Sequence, residues 1–175
     1  MTTRKIFKGA TTAQFAVRDM LALLFAQELL APGEEIFVVA PWISNVIIFD
    51  NRTGQFDTLN PQWGRREIHL IEVLTTLAAH GTRIRIYTRP EVHNRRFRLR
   101  FNEAVADLAL QPQCSCTELA YLHTKGLLTE TAFVDGSMNL TENGVAINDE
   151  SVTVSFASAD IAKARIHFST YESDR

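Results

Sequence analysis

The residues best suited to chemistry fall in one stretch, His123-Thr-Lys125, then Glu130, then Gly136-Ser137-Met138-Asn139. An imidazole and an ammonium two positions apart on a strand project from the same face, about 7 Å from each other. Such a pair offers an anion one nucleophile and one positive clamp. A glycine at a strand-to-helix turn lets backbone N–H groups close on a phosphate, and a helix N-terminus adds a favourable dipole. The Asn139 amide can donate to a phosphoryl oxygen. A His-x-Lys pair alone is more often structural; its order with Gly-Ser-x-Asn is what points to phosphate chemistry.

The elements that must position these residues follow from periodicity. Val17, Met20, Leu21, Leu24 and Phe25 keep helical spacing within Thr12 to Leu30, and Pro32-Gly33 ends that helix. The run Ile36 to Ala40 reads as a central strand covered on both faces. Residues Asn51 to Gly64 form a polar loop. Leu70, Ile71, Leu74, Leu77 and Ala78 mark a second helix, stopped by Gly81. Thr82 to Thr88 alternates, with Ile84 and Ile86 on one face and Arg83, Arg85 and Tyr87 on the other. A third helix spans about Asn94 to Leu108, with Phe97, Phe101, Ala104 and Leu108 along one face. Strands follow at roughly Thr117 to Leu128, Thr131 to Val134 and Ser151 to Phe156, then a closing helix from about Ala159 to Tyr171. The alternation predicts one α/β domain over residues 1–175, a mixed β-sheet flanked by helices on both faces.

With those elements in place, the segment resembles the signature of the phospholipase D superfamily, His-x-Lys, an acid, then Gly-Ser-x-Asn. Asn148-Asp149-Glu150-Ser151-Val152 resembles the second acidic element of that family, and Phe37 to Ile43 its first core strand and following loop. The resemblance runs from about residue 34 to 156. It implies a metal-independent phosphodiesterase without cofactor, in which His123 attacks phosphorus to give a phosphohistidine. A second histidine protonates the leaving oxygen and later activates the hydrolytic water. Lys125 and Asn139 stabilise the non-bridging oxygens, Ser137 assists, and Glu150 orients His123. Where this chain has Glu130 the family usually has Asp, at a position that supports the fold away from the phosphate. Gly136 supports the motif. Larger relatives carry two motifs and small ones pair two copies, so one motif in 175 residues implies a homodimer with a shared site.

Composition narrows the classes. The net charge of −2 excludes a uniformly basic nucleic-acid binder, yet seven of the 18 Lys and Arg residues lie between Arg83 and Arg100, with Glu91 the one acid among them. Arg83 and Arg85 share a strand face, whereas Arg95, Arg96, Arg98 and Arg100 surround a helix. They cannot all line one groove, and Arg83 and Arg85 are the candidates for binding flanking phosphates of the substrate. Trp42 packs at a strand end, with base stacking as its second reading. His69, His80, His93 and His167 read as ordinary helix-face or loop residues. Cys114 and Cys116, one residue apart, form neither a disulfide framework nor a zinc site and read as reduced thiols. The stretch Met20 to Ala26 is far below the ~20 residues needed to span a bilayer, so no membrane partner is expected and the chain reads as cytoplasmic. The leading expectation is a nuclease on DNA or RNA, in a restriction or phage-defence system and its larger complex. Two alternatives stay open: a catalytically weak nucleic-acid-binding subunit of a larger complex, and a phospholipid hydrolase or transferase.

Overall fold

A computed structural model describes residues 3–9 and 15–172. Its frame is a seven-stranded mixed sheet in the order β1-β9-β8-β7-β2-β5-β6. The strands are β1 (Thr3–Lys8), β2 (Glu35–Val39), β5 (Arg83–Thr88), β6 (Cys114–Glu118), β7 (Gly126–Leu128), β8 (Phe133–Gly136) and β9 (Glu150–Ser155). A separate two-stranded sheet joins β3 (Ile47–Asp50) to β4 (Glu67–His69). The helices are α1 (Ala16–Leu30), α2 (Leu70–Ala79), α3 (Val92–Asp107) and α4 (Ser158–Thr170).

The continuous apolar run of β2 has a direct structural consequence. Ile36 and Val38 enter the core beneath α1, α2 and α3, while Phe37 and Val39 enter a second core beneath α4. A strand buried on both faces has no room for alternating polar residues. β5 behaves the same way toward its C-terminal end: Ile84 and Ile86 face the first core and Tyr87 the second. Helices therefore cover both faces of a mixed sheet. Each fully buried Ile, Leu or Phe here contributes about 1.5–3 kcal/mol of transfer free energy.

Four expectations need correction. The stretch Thr117 to Leu128 is two strands joined by a loop, because β6 and β7 are separated in the sheet by β5 and β2. The connection must cross three inter-strand steps, about 14 Å. It starts with a turn in which Leu122 N donates to Leu119 O. Leu108 is exposed, since α3 ends at Asp107 and its buried stripe runs through Asn94, Phe97, Phe101 and Val105. The Gly-Ser-x-Asn segment leads to a single π-helical turn, Asn143–Ile147. Five residues align too few peptide dipoles for the helix-terminus effect expected there. Finally, β1 is a strand in a segment to which no element was assigned; it buries only Ile6 and Lys8, and a lysine at a buried position hides the alternation. The expected start of the first helix, Thr12, lies outside the described residues.

Candidate active site

Strand directions gather the motif at one edge of the sheet. β2 and β5 run parallel, and β7 returns antiparallel with Gly126 opposite Val39, the last residue of β2. β8 then brings Asp135 opposite Gly126, and β9 brings Val152 opposite Gly136. The loop before β7, the end of β8 and the start of β9 thus meet beyond the carboxyl end of β2. That is the position at which open α/β sheets receive ligands.

His123 and Lys125 lie in the crossing loop, not on a strand, so the same-face argument does not apply to them. Lys125 folds back and its Nζ donates to the His123 carbonyl oxygen at 2.8 Å. Lys125 lines a small cleft with Gly136 and Met138. Burial lowers its pKa below the ordinary lysine range, and the negative charge of Glu150 partly offsets that effect. His123 is exposed and lines an open groove of about 580 Å³ with Tyr121 and Tyr171.

Glu150 is 7 % exposed at the start of β9. Its carboxylate accepts hydrogen bonds from Ser137 Oγ and, at 3.5 Å, from Asn148 Nδ2. Ser137 Oγ in turn accepts from Ser151 N at 3.0 Å. Among the described residues, His123 is not a hydrogen-bond partner of Glu150. The expected orientation of His123 by Glu150 is therefore not formed in this structure. The Glu150 carboxylate is held by Ser137 and Asn148, while His123 lines the groove with Tyr121 and Tyr171. Lys8, which sequence reasoning passed over, is 1 % exposed, faces Glu150 across the β1–β9 ladder and donates to Asn148 O. It holds in place the segment that carries Glu150.

Asn139 is fixed from the other side. Trp42 N donates to its Oδ1 at 3.2 Å, which assigns the amide and leaves Nδ2 as a donor. The loop after β2 is stitched to this segment again by Ser44 N to Leu140 O at 2.8 Å. Asn94, also missed, anchors that loop: it is fully buried and bonds Ile43 N, Pro41 O, Thr88 Oγ1 and Arg89 O. An Asn three residues after Arg89-Pro90-Glu91 was the available signal, masked by its place in a helical pattern. Gly136, at φ 141°, runs so close to Ser151 that a Cβ would sit 2.0 Å from its carbonyl oxygen.

The other candidates divide. Trp42 is 37 % exposed beside Asn139, with the Arg89 guanidinium 5.8 Å from its ring centre. Glu130 sits at the opposite end of β7 and pairs with Arg165 at 3.1 Å. Arg83 and Arg85 are not brought to this edge. Arg83 begins β5 at the far end of the sheet, where it pairs with Glu35; Arg85 pairs with Glu35 and Glu172. Burial pushes the Cys114 thiol up to about 11 and the Cys116 thiol up to about 12, so neither is a thiolate at neutral pH. Among the described residues no cluster of His, Cys, Asp and Glu could hold a metal ion, and no helix is long and apolar enough to cross a membrane.

No protein-family model and no curated protein matches the chain. Solved structures do. NucT from Helicobacter pylori is similar at 13 % identity with a TM-score of 0.60, covering 96 % of this chain and 94 % of that one. Nuc from Salmonella typhimurium, a phospholipase D family member, is similar at 11 % identity and a TM-score of 0.56, covering 95 % and 90 %. TrmBL2, an archaeal chromatin protein with a novel mode of DNA binding, is similar at 14 % identity and a TM-score of 0.55, covering 99 % of this chain and 53 % of that one. The fold is phospholipase D-like.

Proposed function

We propose that this chain, on its phospholipase D-like fold, is a phosphodiesterase that cleaves nucleic acid as a homodimer. One observation supports the reading: the segments that carry Lys125, Ser137, Asn139 and Glu150 meet at the carboxyl edge of the sheet, with His123 exposed on the adjoining rim. Lys125 and Asn139 Nδ2 supply fixed donors for the two non-bridging oxygens of a diester. His123 Nε2 attacks phosphorus, and the bond to the leaving oxygen breaks as the partner subunit's His123 gives that oxygen a proton. The partner's His123, now neutral, takes a proton from water; the hydroxyl bonds to phosphorus and the P–N bond returns its electrons to His123.

Two features support a partner at this rim. Each chain carries one motif, and Tyr121, on the His123 loop, is 99 % exposed. An aromatic left bare beside a reactive group suits a surface that another subunit covers. The second reading, a nucleic-acid-binding member with weak catalysis, draws on Glu150, whose carboxylate is taken by Ser137 and Asn148. The cytoplasm and a restriction or phage-defence system, with its larger complex, are the biological setting of the proposal.

The test is nicking of plasmid DNA and RNA, together with turnover of a bis-aryl phosphodiester, in EDTA. Cleavage persists under chelation, falls at least about a thousandfold in His123→Ala, and sedimentation at micromolar concentration shows a dimer. Activity lost to EDTA and restored by magnesium would overturn the mechanism. Wild-type protein that binds nucleic acid but cleaves neither substrate at any pH would establish the binding reading instead.

A further inference from the structure

The basic cluster of residues 83–100 separates into two sets in the structure. Arg83, Arg85, Arg89 and Arg98 are ion-paired, with Glu35, with Glu35 and Glu172, with Glu91 and with Glu118 in turn. Arg96 and Arg100 have no carboxylate within ion-pair distance among the described residues. Both line a concave cleft of about 540 Å³, together with His93, Ser44, His69 and Glu142. His93, Arg96 and Arg100 stand at i, i+3 and i+7 on α3, which is one face of a helix. At 1.5 Å rise per residue their Cα atoms span about 10 Å along the axis.

The cleft adjoins the candidate active site. Its floor at Ser44 is bonded through N–H to Leu140 O, the residue after Asn139. Ser44 Oγ meets His93 Nε2 at 3.0 Å, which ties the loop after β2 to the first turn of α3. Trp42, whose N–H bonds Asn139, and Ser44, which bonds both Leu140 and His93, link the candidate active site to this stripe. Glu142 is the one carboxylate among the lining residues, and its charge opposes that of an anion in the cleft.

We propose that His93, Arg96 and Arg100 form a track for consecutive phosphates of a nucleic-acid strand whose scissile phosphate lies at Lys125 and Asn139. This rests on the nuclease reading and specifies which way its substrate runs. Arg96 and Arg100, about 6 Å apart along the axis, present two fixed positive charges to neighbouring phosphates, and His93 extends the polar stripe toward Ser44. The track reads backbone charge and no base edges, so it confers affinity without sequence preference.

Binding of a short labelled single strand is measured by anisotropy between ~50 and 200 mM salt, in the His123→Ala background so that the strand stays intact. Arg96→Gln/Arg100→Gln weakens binding and lowers the slope of log K against log salt by about 1.4, from ~0.7 per lost phosphate contact. Arg95→Gln, outside the cleft, changes neither quantity. Glu142→Gln binds more tightly than the parent, a gain that damage to the fold would not produce. A parent that binds while the double variant keeps its affinity and slope overturns the track alone. A parent that binds no nucleic acid at the lowest salt overturns the nuclease reading and the track with it.

Discussion

Replacing Asn94 by alanine tests how the loops of this edge are held. The side chain is fully buried: Oδ1 accepts from Ile43 N at 2.9 Å, and the two Nδ2 hydrogens are shared among Pro41 O at 2.8 Å, Thr88 Oγ1 at 2.8 Å and Arg89 O at 2.9 Å. The partners do not lose equally. Pro41 O keeps Thr88 Oγ1 and Arg89 N, and Arg89 O keeps Glu91 N. Each of those carbonyls loses about 0.5–1 kcal/mol, whereas the orphaned Ile43 N–H costs about 1–3 kcal/mol. The sum is about 3 kcal/mol, a large fraction of a typical 5–15 kcal/mol but compatible with a folded protein. Asn94→Asp is the sharper probe: it keeps the acceptor for Ile43 N–H but turns a carboxylate oxygen toward two carbonyls. Folding then raises the Asp pKa, so the variant is destabilised above its unfolded pKa, and the loss shrinks as pH falls through the raised value. Urea unfolding followed by tryptophan emission measures both variants. Asn94→Ala within about 0.5 kcal/mol of wild type, or Asn94→Asp more stable than Asn94→Ala at neutral pH, would refute the reasoning.

Lys125 should shape the alkaline behaviour. Because burial lowers its folded pKa, the fold carries a penalty at neutral pH that is relieved as pH rises through that lowered value toward the unfolded one. The alkaline limb of diester turnover therefore lies below the ordinary lysine range, and Glu150→Gln, which removes the offsetting charge, moves it lower still; a limb that stays in place in that variant refutes the coupling. Gly144→Ala should loosen the Asn139 segment, since a Cβ there would lie 2.2 Å from the Asn139 carbonyl oxygen. Expected are a loss of roughly 1–3 kcal/mol in thermal unfolding and a deficit in diester turnover, and an unchanged melt would show that the approach is not tight.

What the sequence made legible was whatever depends on local pattern. β2 and β5 are written in continuous or alternating apolar residues, α1 and α2 in a 3.6 period, and the motif in residue identity. What it hid was set by strand order. Thr117 to Leu128 reads as one β-rich run, and only the placement of β6 and β7 on opposite sides of β5 and β2 forces the loop that carries His123 and Lys125. Arg83 and Arg85 looked like substrate ligands because charge clusters in sequence. The parallel register of β2 and β5 puts Arg83 beside Glu35 at the end of the sheet away from the motif. His93, read as an ordinary helix residue, becomes informative only once α3 packs beside the loop after β2.

The same topology explains why the site needs so many supports outside its motif. The motif residues arrive from three separate segments, and none lies in the middle of a regular element: the loop before β7, the turn after β8 and the first residue of β9. Loops and strand ends have no ladder to fix them, so their geometry depends on side chains from elsewhere. Lys8 clamps Asn148, Asn94 clamps the loop that meets Asn139, and Ser137 ties the start of β9 to the end of β8. Each clamp joins residues far apart in sequence, which is why no short motif contains them. By contrast, the arrangement around His123 has few ties: its imidazole is exposed, and its loop carries a bare tyrosine two residues earlier. On the proposed reading, the phosphate-binding side is rigid and the nucleophile side is left open for a second copy of the chain.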